Sequence, residues 1–139
     1  MDIEKVEYLR EKCFSLRFHG ADILFKYNNS KLSKICNGIG AEWFPEKVRN
    51  LVTWTFNYLE ITSFLHDIEF EAQIGFSIAN KHFLKNGKIE ILNKYGWYNP
   101  MRYIALNRLK QFYILLQTFG LIAYKNAGEK NKWKLILKK

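Results

Sequence analysis

Two short stretches carry residue types that could do chemistry. In SFLHDIEFE, Ser63 to Glu71, His66 stands beside Asp67 inside an apolar pattern. A neutral imidazole with an ordinary pKa of roughly 6.5 is a usable general base at neutral pH. Adjacent residues on a helix diverge by about 100°, so His66 and Asp67 could serve different neighbours. In NGIG, Gly38 and Gly40 allow backbone angles that other residues avoid. Such a loop can turn its carbonyls onto a hard cation such as calcium. Each stretch also has a plain reading, an ordinary loop before a helix and a polar pair on a helix surface. The other two histidines add little: His19 lies in a region of uncertain structure, and His82 is expected to point away from His66 along one helix. The chain shows no HExxH, CxxC pair, Walker loop or GxSxG.

The elements that must position these groups read as helices. EKVEYLREKCFSL suggests a short first helix, and LRFHGADILFKY a strand or loop. Pro45 suits the first turn of a helix running to about Leu59, with Glu46 near its positive end. Ile61, Phe64, Leu65, Ile68, Ala72, Phe76, Ala79 and Phe83 recur at steps of three and four, tracing one apolar stripe along a single long helix. Thr62 or Ser63 is placed to cap its start, and Gly87 to end it unless KIEILNKYGW continues it. His66 lies off that stripe with Phe70, Gln73 and Ser77, on a mixed stripe where a cleft is expected. A further helix is expected from Pro100 to just before Gly120, followed by two short strands around Asn126, Ala127 and Gly128.

Composition bounds the partners. One domain fits 139 residues, and 17% aromatic content supplies a core without disulfide or structural metal. The net charge of +9 favours anionic partners: nucleic acid, phospholipid headgroups or an acidic protein. The opening MDIEKVEYLREK has acids where a signal peptide needs a basic and then an apolar stretch. No run approaches the roughly 18 apolar residues of a spanning helix. With two cysteines only, Cys13 and Cys36, the expectation is a cytoplasmic protein, or one packaged in a virion assembled there.

Order and spacing together bring a family to view. Asn37, Gly38, Gly40 and Pro45 are followed by His66, Asp67 and Phe70, then by Ala79, Asn80, Phe83 and Asn86. Arg108, Phe112, Tyr113, Phe119 and Gly120 complete the series. From Cys36 to Ala123 the chain resembles the phospholipase-A2-like superfamily, in particular the short, cysteine-poor proteins of that kind from phages and prophages. The resemblance implies a mainly α fold, with two long antiparallel helices preceded by a glycine loop and a short helix. Residues 1–35 would be an N-terminal extension, and residues 124–139 a small β-hairpin and tail of the same single domain. It further implies a calcium ion held by carbonyls of Cys36, Gly38 and Gly40 and by the Asp67 carboxylate. His66 would be the base that activates water against an ester.

The chain departs from that pattern in three ways. Phe70 stands where a tyrosine is usual, and Phe64 and Leu65 where a cysteine is common. The stretch from Ile91 to Gly128 contains no Asp or Glu, so no acid is supplied to pair with His66. Asn107, Gln111 and Tyr113 are the nearest substitutes on that helix, while Glu69 and Glu71 lie on other faces of the histidine's own helix. Three functions follow as expectations. One is a calcium-dependent ester hydrolase drawn to anionic phospholipid. Another is the same fold with a degenerate site, docking a phage protein. The third is a basic helical binder of nucleic acid, for which Trp97, Tyr98, Arg102 and Tyr103 are the candidate patch.

Overall fold

The computed structural model describes residues 1–36 and 46–137, and its regular elements are helices. In chain order they are α1 (Ile3–Ser15), a 3-10 helix (Ala21–Lys26), α2 (Asn29–Ile35), α3 (Glu46–Tyr58), α4 (Glu60–Glu71), α5 (Phe76–Lys94) and α6 (Pro100–Leu137). The mainly α expectation holds. No strand forms among the described residues, and the expected C-terminal hairpin is instead the continuation of α6. Tyr124 explains the continuation: its ring packs on Phe70 and Phe76 at 5.2 and 5.8 Å, tying the late turns of α6 to the bundle. Gly120, expected to end the helix, is buried against Phe76. The LRFHGADILFKY segment is likewise not a strand but the 3-10 helix and its approach.

The single long helix expected from Ile61 is broken in two. Glu71 closes α4, and Gln73 takes a left-handed φ of 56°. The Gln73 amide donates to Phe70 O and the Ile74 amide to Glu69 O, the double closure of a Schellman motif. A non-glycine residue is uncommon there, and Gln73 is held by its own side chain. Its Nε2 donates to Phe70 O at 2.8 Å and to Tyr124 O at 2.7 Å. Gly75, at φ 131°, then opens α5. The apolar period runs unbroken across this turn, so period alone does not reveal it.

Consequently α5 folds back along α4. Thr62 meets Glu90, His66 meets Phe83, and Glu69 meets His82, so position falls on one helix as it rises on the other. The α5–α6 pair is antiparallel by the same test: Asn80 meets Gln117, Phe83 meets Phe112, and Gly87 lies under Leu109. A Cβ on Gly87 would come within 2.6 Å of Leu109 Cδ1, so this glycine permits close helix approach instead of ending α5.

The two cores lie on either side of α4. On one side Val6, Leu9, Cys13, Leu24 and Leu32 pack against Phe64, Leu65 and Ile68. On the other, Leu59, Phe83, Ile91, Leu109 and Phe112 form a second cluster. A helix covered on both sides is buried nearly all round. The start of α4 shows how thoroughly. Leu59 offers no side-chain cap, and neither Thr62 nor Ser63 caps the helix. Glu90 does so from α5, its Oε1 accepting from Thr62 N at 2.9 Å and Thr62 Oγ1 at 2.6 Å. A carboxylate at this end also meets the favourable pole of the helix dipole, and such caps are worth about 1 kcal/mol. No helix among the described residues is long and apolar enough to cross a membrane.

Candidate functional site

Burial decides the state of His66. Its side of α4 was expected to face a cleft, but the returning α5 covers it, leaving 6% of the residue exposed. The imidazole lies against Phe70 and Phe83, with ring centroids 4.1 and 5.1 Å away. Burial pulls its pKa down to about 4, against a smaller upward pull from its hydrogen bond to Asn80. Its Nε2 lies 3.0 Å from Asn80 Oδ1. Asn80 in turn donates through Nδ2 to Gln117 Oε1 at 2.7 Å, and Gln117 Nε2 to the Tyr113 hydroxyl at 3.2 Å. With the Asn80 amide so directed, its oxygen faces His66, which places the imidazole proton on Nε2. The partner of His66 is therefore an amide on α5, with Tyr113 two links farther along.

The other expected residues are dispersed. Asn107 and Gln111 are exposed on α6, turned away from its buried Leu109 and Phe112, and do not reach His66. Phe70 touches His66, but Gln73 serves the α4–α5 turn, and Ser77 is exposed on α5. Asp67 is half-buried, and burial raises its carboxyl to about 7. It lies near Cys36, whose thiol is pushed well up by burial first and by the Asp67 charge second. Gly38 and Gly40 lie outside the described residues. A desolvated carboxylate is a hard-oxygen ligand, which suits calcium in type. Among the described residues no group of three or more His, Cys, Asp or Glu is arranged to hold a metal.

A second polar cluster forms where none was expected. Glu69 on α4 is 1% exposed, and its Oε2 lies 2.6 Å from His82 Nδ1. The sequence places these residues on separate faces of one helix; the turn at Gln73 brings them face to face. Comparisons with known proteins add nothing to this geometry. No protein-family model, curated protein or solved structure gives a significant match to the chain.

The surface carries a third feature. On α5, Lys81, Lys85 and Lys88 are all exposed and recur at steps of four and three, a stripe roughly 10 Å long at 1.5 Å per residue. The only acid of that helix, Glu90, is buried at the α4 cap. The stripe leads toward the α5–α6 corner, where Trp97 is 74%, Tyr98 77% and Tyr103 59% exposed. The rings at the corner are ordered: Trp97 and Tyr98 meet edge to face at 5.9 Å, and the Tyr103 hydroxyl donates to Trp97 O at 2.9 Å. The aromatic patch was legible in sequence; the lysine stripe was not singled out, although a helical reading of Lys81 to Lys88 contains it.

Proposed function

We propose that this chain binds single-stranded nucleic acid through the lysine stripe of α5 and the aromatic corner that follows it. The observation that carries the reading is the junction of the two, a cationic track without an exposed acid on α5, ending in three large exposed rings. Lysines track a phosphate backbone, and exposed rings offer stacking surfaces that any base can use. The net charge of +9 strengthens the attraction over the whole molecule. The test is fluorescence anisotropy of a labelled single strand across a salt series. Affinity should fall steeply with salt, and replacing Lys85 and Lys88 by Ala should lower the slope by about 0.7 for each phosphate no longer neutralised. A slope unchanged in that double variant contradicts the reading.

A second reading keeps the expected hydrolase and its calcium ion. It is favoured by the fixed tautomer of His66, which leaves Nδ1 with a lone pair, and by the position of Asp67 near Cys36. On that proposal Asp67 and the Cys36 carbonyl, with Gly38 and Gly40, hold the cation. The chain then releases fatty acid from mixed anionic and zwitterionic vesicles. Release should need calcium and disappear in His66→Ala, and Asp67→Ala should remove any stabilisation by calcium. Equal release with calcium and with chelator rules this reading out.

A further inference from the structure

We infer that His82 and His19 form a general acid–base pair that cleaves RNA, with Glu69 as the group that orients His82. The inference rests on the nucleic-acid reading above and gives it a substrate class. It begins from a buried carboxylate aimed at an exposed edge. Glu69 is almost wholly buried, yet His82, whose Nδ1 it holds at 2.6 Å, keeps about a quarter of its side chain exposed. With Nδ1 engaged, Nε2 is the nitrogen left for a substrate. Burial raises the Glu69 carboxyl to about 8, so as pH passes that value it becomes a carboxylate that fixes the imidazole tautomer and steadies the imidazolium formed during proton transfer.

The second imidazole is built into place. His19 is exposed, and its ring is stacked on that of His82, with centroids 6.3 Å apart and planes 24° from parallel. That spacing is roughly two hydrogen-bond lengths, so one phosphate group can contact both rings. Asn86, one turn after His82 and 1% exposed, clamps the backbone of His19 on both sides. The His19 amide donates to Asn86 Oδ1 at 2.7 Å, and Asn86 Nδ2 donates to His19 O at 3.0 Å. Gly20 follows at φ 83°, where any Cβ would come within 2.7 Å of His82 Nδ1 and 3.0 Å of Glu69 Oε2. The chain thus needs a glycine there for its backbone to lie over the Glu69–His82 pair. Lys85 lies close enough to depress the His82 pKa, after burial and His19. It also belongs to the lysine stripe, so a strand on the stripe passes the two rings.

Two imidazoles suit a reaction that removes one proton and delivers another across a phosphorus. His82 takes the proton of the ribose 2′-hydroxyl. The 2′ oxygen bonds to phosphorus while the P–O5′ bond breaks, and His19, protonated, gives its proton to the departing 5′ oxygen. The products are a 2′,3′-cyclic phosphate and a 5′-hydroxyl, and both histidines return to their starting states by exchange with water. DNA lacks the nucleophile and is bound without being cut.

The experiment incubates the full chain with an end-labelled single-stranded RNA in buffer with chelator. Binding of the matching DNA is measured alongside. The expected result is cleavage to cyclic-phosphate ends, reduced about 100-fold in His82→Ala and in His19→Ala. Glu69→Gln should change the lower limb of the pH profile, which the base His82 and its partner Glu69 set, and retain the alkaline side. His19→Ala alters an exposed side chain, so its loss of activity with an unchanged circular dichroism spectrum is not a folding failure. DNA binding without RNA cleavage overturns this inference and leaves the binding reading standing. Neither binding nor cleavage overturns both. Cleavage that persists in both histidine variants also overturns it, because the activity then lies elsewhere.

Discussion

His66 and His82 stand on opposite walls of the α4–α5 interface, and each meets a polar group from the other helix. His66 lies deep, against two phenylalanines, with the neutral amide of Asn80 as its partner. His82 lies at the rim, with the buried carboxylate of Glu69 behind it and His19 beside it. The difference is one of water. An imidazole that no solvent reaches is held neutral whatever its partner, and its chemistry depends on something opening the interface. One that keeps an exposed edge can exchange protons with a bound strand. The more conspicuous dipeptide in sequence, His66-Asp67, occupies the less accessible position.

The comparison can be broken by altering either partner, and pH should show the largest effect. His66 has its pKa lowered from 6.5 to about 4, so the folded state binds its proton less readily than the unfolded chain. The stability from that neutrality is present above pH 6.5 and is lost as pH falls toward 4, a change of about 3 kcal/mol. Glu69 runs the other way. Burial raises its carboxyl from 4.5 to about 8, so its contribution is present below pH 4.5 and lost as pH rises through 8. Urea unfolding across pH should therefore show a rising contribution between pH 4 and 6.5 that flattens in His66→Gln and a falling contribution between pH 4.5 and 8 that flattens in Glu69→Gln. Interchanged limbs would mean that burial does not set these groups as described.

Asn80→Ala comes next. It strands the buried His66 N–H, and should cost about 2 kcal/mol in urea unfolding. A cost near zero would show that the relay is not formed. Gly87→Ala tests the close approach of α5 to α6. Its new methyl must displace Leu109, with an expected cost of 1–3 kcal/mol, on the order of other overpacked sites. The smallest effect is expected at the corner. Trp97→Ala should leave unfolding unchanged within about 0.5 kcal/mol while weakening strand binding by about 1–3 kcal/mol.

Much of the helical content was legible. The stretch EKVEYLREKCFSL and the proline at 45 located α1 and α3 closely; the cap of α1, Asp2 accepting from the Glu4 amide, was not read from the sequence. The α4–α5 turn was not legible because Gln73, a residue with no strong turn preference, takes the left-handed position and holds it with a bond to Tyr124, far along the chain. Missing that turn hid everything depending on it: the cover over His66, the Glu69–His82 pair and the Glu90 cap. The C-terminal error has a related cause. Gly120 and Gly128 read as breakers, but the packing of Tyr124 outweighs their propensity cost of about 1 kcal/mol each. The exposed aromatic corner needed no distant contact to be noticed, since Trp97, Tyr98 and Tyr103 are neighbours in sequence.

The most direct test is an amide NMR titration of the full chain with a short single-stranded DNA, which maps binding without risk of cleavage. Shift changes should concentrate on the exposed face of α5 from Lys81 to Lys88, on the corner from Lys94 to Ile104, and at His19 and Gly20. Changes confined to α1 and α2, or none at saturating strand, would contradict the placement of function on this surface.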